Sequence, residues 1–256
     1  MLMSVLKENF RRSKNSWEFC SANLDMLRKY DLWTATAVEL HAILNSENRL
    51  QNTQRFSFSH PNGFDLFVLD QAEEKVSEAP AFRLRLHAWY ETDLASDQGD
   101  IHNHAWDFCS FVLTGALRFQ TFAEVPGRKT SLMHKFWYDT KMEAATDRGP
   151  IHLVPGLDTV FTSGGSYAFQ HQTLHKAAPI SREPCLTLVV TGPYQRTGSE
   201  VVLSNQKKKQ QEFLGQKIGK EELKTRLREL LFMIEKGGSL AAFPAPSQVL
   251  MKGLLS

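Results

Sequence analysis

Between residues 55 and 194 apolar side chains recur at every second position, and this alternation constrains the fold more than any other feature of the chain. Side chains alternate across a strand, so a period of two marks a half-buried strand, whereas a helix repeats every 3.6 residues. The segment AFRLRLHAWY sets Phe82, Leu84 and Leu86 against Arg83, Arg85 and His87. RFSFSH, PNG and FDLFVLD read as a hairpin, with Phe56 and Phe58 alternating and Asn62–Gly63 favouring a turn of positive φ. FCSFVLTGALRFQTF reads as two strands hinged near Gly115. TSLMHKFWYD, DTVFTS, SYAFQH and PCLTLVVTG follow, set apart by Gly, Pro and Asp. Many short strands separated by turn signals predict a mainly-β sandwich or barrel.

The flanks have a different period. NSWEFCSANLDMLRKY and DLWTATAVELHAIL carry apolar residues three and four apart, such as Leu40, Ile43 and Leu44. Asn15 suits an N-cap with Glu18 reaching back to it, and Asp31 suits a second cap. These helices are expected to brace or cover the β domain. After Tyr194, NQKKKQQEFLGQKIG is polar and basic and reads as a solvated linker holding the lysine run 207–209. In KEELKTRLRELLFMIEKGG, Leu223, Leu227, Leu230, Leu231 and Ile234 form one helical stripe, Glu222 and Arg226 pair, and Gly237 suits a C′ position. AAFPAPSQVLMKGLLS reads as an irregular tail packed on the domain or on a second subunit. The expected organisation is a helical extension over 1–54, a β domain over 55–195, and a linker, helix and tail over 196–256.

Bulk properties narrow the function classes. A chain of 256 residues that is 42% hydrophobic can bury one sizeable core. A net charge of +2 gives no nucleic-acid signal. Cys20, Cys109 and Cys185 are odd in number and far apart, which points to a reducing compartment. No apolar run reaches the roughly 18 residues of a membrane span, and MLMSVLKENFRRSKNSWEF lacks the apolar core of a signal peptide. The expectation is a cytoplasmic protein with a small-molecule partner, no membrane partner, and a homodimer as a candidate assembly.

The chemistry concentrates in DIHNHAWDFCSFVLTG. In a strand, His102 and His104 would share a face and could hold a metal ion if a third ligand arrived from elsewhere. Two candidates lie about 70 residues on, His171 and His175 in GGSYAFQHQTLHKAAP. The order of H-x-H, an apolar strand, Gly115 and a late strand bearing LHKAAP resembles the two-motif pattern of cupins over residues 80–195. YAFQHQTLHK is similar to the tyrosine-to-histidine segment of thiol-dioxygenase-type cupins, which implies His102, His104 and His175 as metal ligands and leaves His171 beside the site.

The fourth ligand of many cupins, a glutamate seven residues before the glycine, is replaced by Phe108 here, and a longer spacing from His104 gives Cys109. Asp107 could ligate only through a bulge. Three histidines without a carboxylate resemble the thiol-dioxygenase set. Counted from the glycine, Cys109 is out of register for those enzymes' cysteine–tyrosine crosslink. The resemblance implies a cupin-type jelly roll and a mononuclear non-heme oxygenase binding Fe(II), a small polar substrate and O₂. Zinc or nickel would suit the same imidazoles and hydrolase, isomerase or lyase chemistry, and a ligand-binding module without turnover is a third alternative.

Other candidates surround this set. The resemblance implies an arginine on an early strand holding a substrate carboxylate, with Arg85 the nearer match in place and Arg83 and His87 on the same face. An arginine suits a carboxylate because its planar fork pairs both oxygens. His134, alternating with Phe136 and Tyr138, could line a pocket. Tyr167 and Tyr194 are candidate phenol donors near O₂, and Trp106 is expected at the barrel mouth.

Overall fold

The computed structural model describes residues 2–73, 80–90, 99–129, 132–139, 144–181, 183–204, 215–237 and 248–251. Four helices lead the chain: α1 (Leu2–Arg12), α2 (Ser16–Leu27), α3 (Leu32–Leu44) and α4 (Glu47–Phe56). Asn15, Asp31 and Ser46 cap the last three by accepting from the N–H of Glu18, Thr34 and Arg49. Glu18 reaches back to the N–H of Lys14 at 2.8 Å, one residue earlier than the expected partner Asn15. Phe56 closes α4 instead of opening a strand, because Leu50 and Thr53 keep the helical spacing and bury that face.

The strands are β1 (Phe58–His60), β2 (Phe64–Glu73), β3 (Pro80–Trp89), β4 (Ile101–His102), β5 (Trp106–Thr114), β6 (Ala116–Glu124) and β7 (Met133–Asp139). They continue with β8 (Ala144–Pro150), β9 (Leu153–Thr162), β10 (Ser166–Phe169), β11 (Leu174–Pro179), β12 (Cys185–Tyr194) and β13 (Gly198–Ser204). Then come β14 (Gln216–Lys217), α5 (Lys220–Gly237) and β15 (Gln248–Met251). One sheet has the order β14-β1-β2-β3-β12-β5-β10-β15, the other β8-β7-β13-β4-β11-β6-β9. The protein is thus mainly β, with two antiparallel sheets and helices at both ends, as its alternation implied. The added β15 runs parallel to β10, where an irregular tail was expected. Strand β13 extends the strand run past Tyr194, and its short GSEVVLS segment carries too little alternation to be read as a strand. The lysine run 207–209 lies outside the described residues.

Burial on both faces of β3, β5 and β12 positions the site. Phe82, Leu84, Leu86 and Ala88 of β3, Cys109, Phe111 and Leu113 of β5, and Leu186, Leu188 and Val190 of β12 pack against the helices, meeting Phe19, Leu24, Leu40, Ile43, Leu223 and Leu227. Trp33 Nε1 locks α3 to β5 by donating to the Leu113 carbonyl at 3.0 Å. Trp89, Phe108, Val112 and Val189 point the other way, to Phe119, Phe161, Tyr167 and Phe169 between the sheets. The even-numbered residues of β3 therefore face the helices, and Arg83, Arg85 and His87 face the barrel interior. A cavity of about 830 Å³ lined by Trp33, Phe111, Leu113 and Ile234 lies on the helix side of β5, across the sheet from the histidines described below.

Gly115 carries the chain from β5 in one sheet to β6 in the other with φ of 72°. A Cβ there would stand 2.9 Å from Cys185 Cα. Gly115→Ala combines a left-handed backbone penalty with overpacking against backbone, and should lower stability by about 2–4 kcal/mol in denaturant titration. A loss under about 0.5 kcal/mol would show that the corner relaxes freely.

Candidate metal centre

His102 ends β4, and the register places it directly opposite His175 on β11, so both rings project from one face. His104 lies beyond the strand end, so shared strand pleating does not bring it into place. Its N–H donates to the His171 carbonyl at 3.0 Å, which folds the HNH segment onto the loop before β11. The ring centroids are separated by 5.0 Å for His102–His104, 4.7 Å for His102–His175 and 4.9 Å for His104–His175. One ligand nitrogen from each lies within 4.8 Å of the others, and no carboxylate joins the group among the described residues.

The imidazoles are tuned for this role. His102 Nδ1 meets the Asp100 carbonyl at 2.8 Å, and His175 Nδ1 meets the Thr173 carbonyl at 2.9 Å. A carbonyl only accepts, so each Nδ1 carries the proton and each Nε2 keeps its lone pair free. Burial drives all three rings toward the neutral form, His175 down to about 3. Neighbouring His175 and His102 add to the effect at His104. Three neutral nitrogen donors, two on paired strands and one on the segment that follows β4, fit a divalent first-row metal.

A clamp fixes the segment between the ligands. Arg196 donates from Nη2 to the His104 carbonyl at 2.9 Å and toward the His171 carbonyl at 3.4 Å, tying the early and late histidine segments together. It also donates to Asn103 Oδ1. Asn103 Nδ2 donates to Glu200 Oε2 at 2.6 Å, anchoring the loop on β13. Asp107 leaves the strand on the face opposite Phe108 and accepts from both the N–H and Nδ1 of His171, at 2.7 and 2.8 Å. Asp107 is thereby spent on His171, and the ligand nitrogens that lie within 4.8 Å of one another are those of His102, His104 and His175, without His171. Phe108 packs beside the group, its ring 5.2 Å from that of His104 and 5.6 Å from that of His175.

The substrate-side candidates divide. Arg85 is buried, with Cζ 4.5 Å from the Trp106 ring, which also stacks on His104 at 5.3 Å. Burial and then Arg83 push its pKa down to about 9, and its Nε has no hydrogen-bond partner. Arg83 instead meets Gln71 at 3.2 Å and Tyr194 Oη at 3.5 Å. Tyr194 touches Trp106 edge-on at 5.3 Å. Two further candidates are placed away from the three histidines. Tyr167 sits beneath the centre among Phe108, Phe119 and Phe161, and Phe108 and Phe119 stand between it and His175. His134 sits on β7, separated from β4 by β13, and meets Asp147 at 3.4 Å, outside the histidine group. Cys109 packs on the helix side, consistent with its being out of register for a crosslink.

Sequence reasoning missed His60, stacked on Phe64 at 4.4 Å and 6.5 Å from His102, and the Arg196–Asn103 clamp. Only the asparagine between the two histidines signalled the clamp. Its arginine is 93 residues away.

No family model and no curated protein sequence matches the chain. Among solved structures, an oxalate oxidase is similar at 13% identity over 72% of this chain and 75% of that one, with a TM-score of 0.34. An Fe(II) HppE overlaps 50% of this chain and 49% of its own at 16% identity and a TM-score of 0.30. An RmlC-like cupin from Shewanella frigidimarina overlaps 55% and 85% at 12% identity and a TM-score of 0.31. The chain is thus similar to cupin-fold proteins. At these TM-scores the overlaps carry no argument about chemistry, which rests on the geometry of the histidines.

Two expected outcomes follow from this geometry. His102→Ala, His104→Ala and His175→Ala should each lose most bound metal, whereas His171→Ala should keep most of it, read by elemental analysis. The opposite order for His171 and His175 would make His171 the ligand. In metal-free protein the folded imidazoles stay neutral while unfolded ones protonate near 6.5. The unfolded chain therefore binds protons first, and stability present above that pH drains away as pH falls toward the folded value, about 3 for His175. Each fully depressed imidazole contributes a slope of about 1.4 kcal/mol per pH unit. Denaturation midpoints that stay level from about pH 7.5 to about pH 5.5 would contradict the burial of these rings.

Proposed function

We propose that this protein is a mononuclear metal-dependent oxygenase, with iron as its metal, acting on a small carboxylate-bearing substrate. The observation that carries the reading is the juxtaposition of three neutral imidazoles with an unpaired buried guanidinium across one indole. A divalent iron held by neutral donors keeps its full charge and offers open positions to a chelating substrate and to O₂. Arg85 Nε is buried without a hydrogen-bond partner, no carboxylate is found beside it among the described residues, and a buried cation without a counter-ion is costly. A substrate carboxylate satisfies it and is oriented by its planar fork. Trp106 holds the guanidinium beside His104, while Phe108 and Phe119 exclude water from below.

No helix among the described residues is long and apolar enough to cross a membrane. The three cysteines are free and buried, which supports assignment to a reducing, cytoplasmic setting.

Protein purified without added metal or chelator should contain iron and consume O₂ with a carboxylate-bearing substrate. Stoichiometric zinc with no O₂ uptake would overturn the reading. Arg85→Lys keeps the charge and loses the fork. It should raise the substrate dissociation constant by about 10- to 150-fold at unchanged metal content, and Arg83→Lys should change it far less.

A further inference from the structure

The interior face of β3 does not end at Arg85. His87 and Trp89 continue the same row, and the register sets Thr187 of β12 directly opposite His87. Arg85, Trp89 and Thr187 are all at least nine-tenths buried, at 6%, 4% and 0% exposure. The pleat aims each into the space between the sheets, since their neighbours Leu86, Ala88, Leu186 and Leu188 face the helices. Arg85 Nε, His87 Nε2, Trp89 Nε1 and Thr187 Oγ1 are all buried without a hydrogen-bond partner. A buried polar atom is rarely left unmatched, and each such atom costs about 1–3 kcal/mol. Four on one face of two neighbouring strands form a pattern. A core needing only apolar packing would carry valine at position 187 and phenylalanine at position 89.

Their neighbours tie this row to the histidine centre. Phe64 packs on His87 at 4.9 Å and on Trp89 at 4.8 Å, and stacks on His60 at 4.4 Å, which lies 6.5 Å from His102. The row therefore continues along the interior face of the same sheet beside the histidine centre, with Arg85 and Trp106 at one end and Trp89 at the other. An indole N–H can only donate, a threonine hydroxyl donates or accepts, and a neutral imidazole nitrogen does either. The group that satisfies them together bears oxygen acceptors.

We propose that His87 Nε2, Trp89 Nε1 and Thr187 Oγ1 form a second substrate subsite that hydrogen-bonds an oxygen-bearing group at the end of the substrate remote from the carboxylate held by Arg85. The substrate class is then a short acid with a second oxygen function, such as a dicarboxylate or a keto acid, in preference to a simple monocarboxylate. This inference rests on the function proposed above and adds the recognition of the substrate's second end.

The test compares length-matched pairs, succinate with butyrate and glutarate with pentanoate, by titration calorimetry on the protein as isolated. In at least one pair the dicarboxylate should bind tenfold or more tightly. Thr187→Val removes one hydroxyl at constant shape, and Trp89→Phe removes the indole donor. Each should reduce that preference by about 2- to 12-fold and leave monocarboxylate binding unchanged. Metal content is measured on the same samples. Its loss in wild-type protein would count against the oxygenase reading, whereas unchanged metal with no dicarboxylate preference would overturn the subsite alone. Without ligand, Thr187→Val should raise the thermal midpoint, because it removes a buried polar atom with no partner. A lower midpoint, or a preference unchanged in both variants, would overturn the proposal and mark the row as structural.

Discussion

The register that sets His102 opposite His175 governs the rest of the centre. Antiparallel pairing fixes two imidazoles on one face at a separation set by the backbone. A slip of one residue would send one ring to the other face of the sheet. The remaining parts secure this register or exploit it. Arg196 binds the carbonyls of His104 and His171, and Asp107 holds His171 by backbone and ring. Backbone groups thus hold the short β4 strand, only two residues long, where its own ladder would be too weak.

The second constraint is the burial of β3, β5 and β12 on both faces. A sheet with one solvated face would leave Arg85 and His87 in water. Helices α2, α3 and α5 cover the apolar face and turn the polar face inward. The helical flanks are therefore part of the reason the site exists: without them Phe82, Leu84 and Leu86 would be the buried side of β3 and its arginines the wet side.

Much of this was legible in the sequence, for physical reasons that also mark where legibility stops. Strand alternation, the turn at Asn62–Gly63 and the corner at Gly115 are local, so the sequence carries them directly. His175 was legible through the resemblance of YAFQHQTLHK to a thiol-dioxygenase-type segment, not through any local rule of strands or turns. The face on which Arg85 points was not, because RLRLHAW alternates identically whichever side is buried. The long-range polar contacts were also hidden. Nothing local to Arg196 says that its guanidinium crosses to a carbonyl 92 residues earlier. Phe56 and β13 failed for the opposite reason: a helix closing on Gln-Arg-Phe and a strand of Gly-Ser-Glu carry weak local signals that tertiary packing overrides.

Burial has a further consequence for how such a centre is balanced. Lowering the basicity of five imidazoles, His60, His87, His102, His104 and His175, requires the same dry surroundings that make Arg85 costly. The two effects reinforce each other, because a buried cation also raises the cost of protonating every nearby histidine. Arg85 acts in this sense on His60, His87 and His104. The guanidinium thereby helps keep the nitrogen lone pairs free for a metal, while its own charge stays uncompensated until an anion arrives. On the function proposed above, metal binding and anion binding would be linked by this arrangement. Each added positive charge near the triad strengthens the attraction for a carboxylate, and each bound carboxylate offsets the repulsion between the guanidinium and the metal. On that reading the site would favour having both occupants over having either one alone.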